Sequence, residues 1–102
     1  MGTQIELNTM LRLGKDDVIP AELVVGKSFC STKNNVRIYP MDLAILLLAE
    51  DWTAQGYCAV RKTVVKNGQM EVEFEVLTLF TPEEQKLVTA TMLAGLKKCG
   101  YL

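Results

Sequence analysis

Three carboxylates stand at alternate positions in the most regularly patterned stretch of the chain. Glu71, Glu73 and Glu75 alternate with apolar residues, so on a β-strand they would share one face. Such a row could bind a divalent cation, but a carboxylate row on a solvated face usually binds only water. We predict no metal site there.

The sequence contains no histidine. This removes the commonest general base, the Ser–His and Cys–His nucleophile pairs, and the commonest metal ligand. Cys30, Cys58 and Cys99 lack the paired spacing of a zinc site, and their odd number predicts free thiols in a reducing compartment. We predict that the protein is not an enzyme, has no catalytic residues and uses no cofactor.

Residues 21–28 fit a loose phosphate-loop pattern in which Ala21 replaces the first glycine. A working loop needs a glycine-rich turn between a strand and a helix, so that backbone N–H groups point at phosphate. Bulky strand formers separate Ala21 from Gly26, and residues 29–32 do not begin a helix. Nucleotide binding at this segment is therefore not predicted.

Basic and aromatic residues interleave over a longer part of the chain, which includes Arg12 and Lys33. This combination can line a groove on which single-stranded nucleic acid stacks its bases, although ordinary cross-strand packing produces the same pattern. The candidate ligand-binding residues are Arg37, Tyr39, Trp52, Tyr57, Arg61 and Lys62.

A long β-hairpin over residues 57–80 must position three of these candidates, Tyr57, Arg61 and Lys62. Residues 70–76 alternate strictly between apolar and acidic residues, which is typical of a strand with one buried face. Residues 67–68, Asn-Gly, give a strong hairpin signal because both residue types tolerate positive φ.

Two registers of this hairpin remain open. A two-residue turn sets Arg61 opposite Phe74 and directs Arg61 towards the apolar face. A three-residue loop over 66–68 with a bulge sets Val60 opposite Phe74 and directs Lys62 inward instead. In either register one cation approaches the apolar face, as a snorkelling stem or as the charge of an anion-binding pocket.

Shorter segments predict further strands. Residues 41–50 are ambiguous, because their Leu and Ala content favours a helix while their shortness and their position between two hairpins favour a strand. We predict a strand there. Another predicted strand covers residues 5–13. Residues 18–25 predict an edge strand or a strand start, because Pro20 does not suit a central strand. Residues 27–32 and 36–39 predict a second hairpin.

A helix should run from about residue 82 to 99. Thr81 is a suitable N-cap, Pro82 suits the first helical position, and Glu84 completes a capping box. Gly100 ends the helix. The sequence therefore predicts an α+β, mainly antiparallel fold of six or seven strands, as a small curled sheet or partly open β-barrel with one C-terminal helix. We expect one domain over residues 1–102, with its β-rich part at 3–80.

The chain has 102 residues, of which 49% are hydrophobic, and a net charge of −1. This near-neutral balance argues against a broad non-specific nucleic-acid footprint. The longest apolar run is too short for a membrane helix, and the N-terminus has no signal pattern. We predict a cytoplasmic protein without a membrane partner.

Two short segments resemble sequence motifs of a bacterial family of short proteins of unknown function. They are residues 6–10, ELNTM, and residues 39–42, YPMD. Gly56-Tyr57 and Arg61-Lys62 fall where a similar G…RK stretch is expected. The resemblance covers roughly residues 3–80, and the C-terminal helix looks like an addition. It implies no activity and no catalytic residues. A small β-barrel that ends in a helix is also similar in outline to RNA-binding PUA-like domains.

These observations lead to two functional hypotheses. The first is a non-enzymatic binding or protein-interaction module that self-associates as a homo-oligomer, because the chain is rich in apolar residues and both faces are apolar over residues 76–80. The second is a PUA-like RNA- or nucleic-acid-binding domain, which is not favoured. The sequence does not identify a small-molecule ligand.

Overall fold

The computed structural model describes residues 8–100, which form a five-stranded β-sheet and one α-helix. The strands and the helix are β1 (Met10–Arg12), β2 (Ser28–Lys33), β3 (Ala44–Leu48), β4 (Ala54–Lys66), β5 (Gln69–Leu79) and α1 (Pro82–Lys98).

The strand order is β1-β3-β4-β5-β2. β1 runs parallel to β3, and every other neighbouring pair is antiparallel. The predicted α+β class, mainly antiparallel with a C-terminal helix, is confirmed. The ambiguous segment 41–50 contains β3, so the prediction of a strand there is also confirmed.

The sheet stays open, yet its outer strands β1 and β2 approach each other. The ammonium group of Lys33, which ends β2, donates a hydrogen bond to the backbone carbonyl oxygen of Arg12, which ends β1. Asp17 accepts hydrogen bonds from the Ser31 hydroxyl at 2.7 Å and the Thr32 backbone N–H at 3.3 Å. Such contacts between opposite edges require the sheet to curl. We call the bridged gap between β1 and β2 the seam.

The hydrophobic core lies on one side of the curled sheet. It combines alternate residues of the strands with side chains of the connecting segments, because successive strand residues point to opposite faces. The most deeply buried are Leu11, Leu13, Leu47, Cys58, Val60, Val72, Phe74 and Val76.

The central hairpin, β4–β5, combines both registers that the sequence left open. Lys62 pairs with Glu73, as a two-residue turn requires, but Val60 pairs with Phe74, as the bulged alternative requires. Arg61 is the extra residue between these two pairs and forms a β-bulge. Both cations are exposed, so the expectation that one would approach the apolar face is wrong.

Two predicted strands are not found in the described part of the chain. Residues 18–25 contain a 3-10 turn at Pro20–Glu22, since proline cannot donate to a strand ladder. Residues 36–39 form no strand: β2 pairs with β5 instead, and the Arg37 backbone N–H donates to the Met70 sulfur at 3.3 Å. Residues 8–100 therefore hold five strands rather than six or seven. Residues 5–7 of the first predicted strand lie outside the described residues.

Helix α1 begins as the sequence predicts. The Thr81 side chain accepts a hydrogen bond from the Glu84 backbone N–H, and the Glu84 side chain accepts one from the Thr81 backbone N–H. The helix packs on β4, where the Ala54 backbone N–H donates to Thr89 at 2.9 Å. None of its residues is fully buried.

No helix within residues 8–100 is long and apolar enough to cross a membrane.

Candidate functional site

A cavity of about 240 Å³ opens at the end of the seam. We call it the seam cavity. It is formed where β1 and β2 end and where the chain leaves each strand. The lining residues are Arg12, Leu13, Gly14, Thr32, Lys33, Asn34, Asn35 and Arg37.

Lys33 is the most unusual residue of this cavity, because its side chain is only 6% exposed. The alternation of β2 explains its position: Phe29, Ser31 and Lys33 point to the core side, while the residues between them are exposed. Long cationic side chains are rarely buried without a charged partner. Among residues 8–100, the ion pairs within 4.0 Å all belong to Arg61, so no described carboxylate pairs with Lys33.

The environment of Lys33 disfavours its charged form. Burial is the largest cause of a lowered Lys33 pKa, and the positive charges of Arg37 and Arg12 lower it further. The Asp17 carboxylate acts in the opposite direction. The ammonium group donates to the Arg12 carbonyl oxygen, which satisfies one of its three N–H donors.

Asp17 is the acidic group nearest to this cluster, and it is already engaged. Its carboxylate accepts hydrogen bonds from the Gly14 backbone N–H at 2.7 Å, from Ser31 and from Thr32. Asp17 thereby ties the loop after β1 to the edge of β2. It is not among the residues that line the seam cavity.

Arg12 is held by an aromatic ring. Its guanidinium carbon lies 4.6 Å from the centroid of the Trp52 ring, which is within the range of a cation–π contact. Trp52 adopts a positive φ of 72° in the turn between β3 and β4. The face of Trp52 that contacts Arg12 is therefore not available for stacking on a ligand.

Tyr39 is buried in the core rather than exposed for ligand stacking. Its hydroxyl has no hydrogen-bond partner within the described residues. Burial is the largest influence on Tyr39 and raises the pKa of its phenol, while the nearby Arg37 charge partly offsets the rise.

The candidates Arg61 and Lys62 lie away from the seam cavity and among acidic groups. The guanidinium of Arg61 lies 2.7 Å from the Asp42 carboxylate and 3.4 Å from that of Glu75. These carboxylates raise the pKa of Arg61, with the Asp42 hydrogen bond as the main cause. Lys62 pairs with Glu73 across the hairpin and lines a smaller cavity of about 80 Å³ that Glu71 also lines.

Tyr57 lies at the opposite end of the hairpin from its turn, where its ring meets the edge of Phe80 at 5.5 Å. Of the six candidates, only Arg37 lines the seam cavity, and Trp52 contributes through Arg12. The six residues do not form one stacking groove.

The sequence placed Lys33 in an exposed turn after residues 27–32 and therefore gave no indication of its burial. One signal could have found it: the alternation of Phe29, Ser31 and Lys33 extends β2 by one residue and directs Lys33 inward.

Cys30 and Cys99 are exposed, whereas Cys58 is buried and its pKa is raised to about 12 by burial. No group of three or more metal-ligating side chains lies together within residues 8–100.

Comparisons with known proteins identify the fold but no family. No family model matches the chain, and no curated protein matches it. The crystal structure of protein ytmB from Bacillus subtilis, a Northeast Structural Genomics Consortium target, is similar to this structure with a TM-score of 0.56. The similarity covers 80% of this chain and 98% of ytmB, at 20% sequence identity. At that identity the likeness concerns the fold alone.

Proposed function

We propose that this protein is a non-enzymatic binding module that holds an anionic ligand in the seam cavity. The observation that supports this proposal is the buried ammonium group of Lys33, which has no carboxylate partner within 4.0 Å among residues 8–100. Arg37 lines the same cavity and adds a second positive charge.

The physical reason is the cost of burying a charge. Removing an ammonium group from water is unfavourable unless a counter-charge and hydrogen bonds replace its hydration. Asp17 supplies part of that counter-charge from outside the cavity, and Arg37 and Arg12 oppose it. A ligand with negatively charged oxygens would accept the remaining Lys33 donors and offset the repulsion among the three cations.

Chemical-shift mapping with inorganic phosphate tests this proposal. We expect saturable amide shifts at residues 12–14, 32–35 and 37, which line the seam cavity. Lys33→Met should abolish the saturable shifts, because the substitution keeps the length of the side chain and removes its charge. Lys62→Met, which removes a lysine from the acidic hairpin face, should leave them unchanged. Shifts that do not saturate, or that fall on the helix, would refute the proposed function.

Self-association remains a second candidate, and a specific observation favours it. Several large apolar side chains are more than half exposed, among them Leu87 of α1 at 70%, Leu43 at 61% and Val65 at 55%. Exposed apolar surface of this kind favours contacts between chains. Sedimentation equilibrium should show a homo-oligomer that Leu87→Glu weakens; a monomer at every concentration would exclude self-association.

RNA binding in the manner of PUA-like domains is a weaker candidate. It would use stacking on exposed aromatic rings. Trp52 is engaged with Arg12, Tyr39 is buried, and the Tyr57 ring packs against Phe80. We also propose that the protein acts in the bacterial cytoplasm, where its three free cysteines would stay reduced.

A further inference from the structure

The geometry points to a terminal phosphate group, a phosphate monoester with a net charge near −2, as the ligand of the seam cavity. This inference rests on the proposed function, because it names the chemical class of the anion that the cavity would hold. Three features of the cavity distinguish that class from a carboxylate and from the phosphodiester backbone of a nucleic acid.

The first feature is charge. Lys33, Arg37 and Arg12 bring three positive charges to one cavity, and Asp17, the neighbouring carboxylate, is engaged outside it. A phosphate monoester carries a charge of about −1.5 to −2 at neutral pH. A carboxylate or a phosphodiester carries only one negative charge and would leave more of the cationic repulsion in place.

The second feature is the arrangement of donors. Lys33 ends β2, Arg37 follows in the next loop, and Asn34 and Asn35 lie between them, so ammonium, guanidinium and amide donors all belong to residues that line the cavity. A terminal phosphate has three free oxygens arranged as part of a tetrahedron, and guanidinium and ammonium groups bind such oxygens well. A planar carboxylate has two oxygens and would leave donors unused.

The third feature is size together with the placement of the aromatic rings. The cavity volume, about 240 Å³, is below the roughly 300–1,000 Å³ of sites that enclose drug-sized ligands. It fits an ion or the end of a larger molecule. A nucleic-acid strand would also require free rings for its bases, and the Trp52 ring beside the cavity is covered by Arg12.

Isothermal titration calorimetry at constant ionic strength tests the inference with four probes: glycerol 3-phosphate, dimethyl phosphate, acetate and a single-stranded RNA without a terminal phosphate. We expect glycerol 3-phosphate to bind at least about tenfold more tightly than the other three, because it alone has three free phosphate oxygens. Arg37→Gln should weaken its binding about tenfold or more, and Lys62→Gln should change it by less than about twofold. Circular dichroism and thermal unfolding should confirm that both variants fold.

The outcomes separate the inference from the proposed function. If acetate, dimethyl phosphate or RNA binds as tightly as glycerol 3-phosphate and Arg37→Gln weakens all of them, the anion site stands and the phosphate-monoester inference fails. If none of the probes binds, both fail. If glycerol 3-phosphate binds but Lys62→Gln weakens it as much as Arg37→Gln, the ligand does not occupy the seam cavity and the inference fails.

Discussion

The side chain of Lys33 donates a hydrogen bond to the backbone carbonyl oxygen of Arg12, although the two residues end strands at opposite edges of the sheet. This bond, with the Asp17 contacts beside it, connects the edges of a sheet that no strand pairing among residues 8–100 closes. It also fixes the buried side chain of Lys33 in the lining of the seam cavity. The curl of the sheet and the proposed anion site therefore depend on the same side chain.

The first prediction concerns the pH dependence of stability. Because burial lowers the pKa of Lys33 in the folded protein, the unfolded chain binds the proton more tightly between that lowered pKa and the ordinary value of 10.5. Stability contributed by Lys33 therefore increases as pH rises through this window. We expect the free energy of unfolding of the native protein, relative to that of Lys33→Met, to increase from neutral pH to pH values above 10.5.

Urea unfolding of both proteins across this pH range measures the difference. Cys58, whose pKa burial raises to about 12, also titrates in alkaline solution, but it is present in both proteins and cancels. Lys62→Met controls for the loss of an exposed lysine. A native-minus-variant difference that stays constant with pH would contradict the burial of a charged Lys33.

The second prediction concerns the close approach of β4 and β5 at Gly56. A Cβ at this position would overlap the backbone carbonyl oxygen of Thr78 and lie 2.9 Å from the Leu79 Cα. We expect Gly56→Ala to lower the free energy of unfolding by about 3 kcal/mol or more, because backbone atoms of a paired strand cannot move aside. Gly95→Ala is the matched control.

At Gly95 an added Cβ meets no atom within 4 Å, and the residue lies in α1. We expect Gly95→Ala to raise the free energy of unfolding by about 0.5–1 kcal/mol, because alanine restricts the unfolded chain and favours a helix. Urea unfolding compares the two variants. Equal effects at both positions would contradict the strand pairing at Gly56.

The third prediction concerns the bulge at Arg61. The Arg61–Asp42 ion pair is exposed, so we expect Arg61→Ala to change the stability little. Deleting Arg61 should destabilise the protein far more. Without this extra residue, the Lys62–Glu73 pair and the Val60–Phe74 pair cannot both form, so part of β4 would shift by one residue and turn its side chains to the opposite face. Thermal unfolding measures the loss of stability in both variants. If the deletion lowered the stability no more than the substitution, the bulge at Arg61 would be refuted.

The fourth prediction concerns the three thiols. Two of them, Cys30 and Cys99, are exposed, whereas Cys58 is fully buried. We expect a chromogenic disulfide reagent to modify two thiols in the folded protein and the third only after unfolding. Burial keeps the reagent from Cys58 and raises its pKa, and the thiolate is the reactive form of a cysteine. Cys30 should react slowly for an exposed thiol, since burial and the Glu71 carboxylate raise its pKa.

Variants Cys30→Ala and Cys99→Ala assign the two accessible thiols. Each should lower the number of thiols modified in the folded protein by one. Modification of all three thiols at one rate in the folded protein would show that the core around Cys58 opens readily.

The elements with strong local signals could be predicted from the sequence. The Asn-Gly turn, the alternation of β5 and the Thr81 capping box each specify their structure within a few residues. The sequence left two registers of the hairpin open, and the structure uses part of each by means of a bulge at Arg61 that neither register contained. Competition between local turn geometry and the burial of Val60 produces that mixture, and neither signal alone determines it.

The seam cavity could not be predicted, because it depends on contacts between residues distant in sequence. The strand partner of β2 is β5 rather than residues 36–39, and β1 pairs in parallel with β3. These pairings place the inward-facing Lys33 where it reaches the Arg12 carbonyl oxygen. The sequence indicated Arg37 by its charge, and the loop after β2 keeps it near Lys33, but only the curl of the sheet brings Arg12 to the same cavity.

The most direct test of the central claim is the affinity of inorganic phosphate for the native protein, Lys33→Met and Lys62→Met, measured by isothermal titration calorimetry at one ionic strength. We expect saturable binding to the native protein, the same affinity for Lys62→Met, and no detectable binding to folded Lys33→Met. Binding that survives in Lys33→Met, or that is absent from the native protein, would contradict an anion site in the seam cavity.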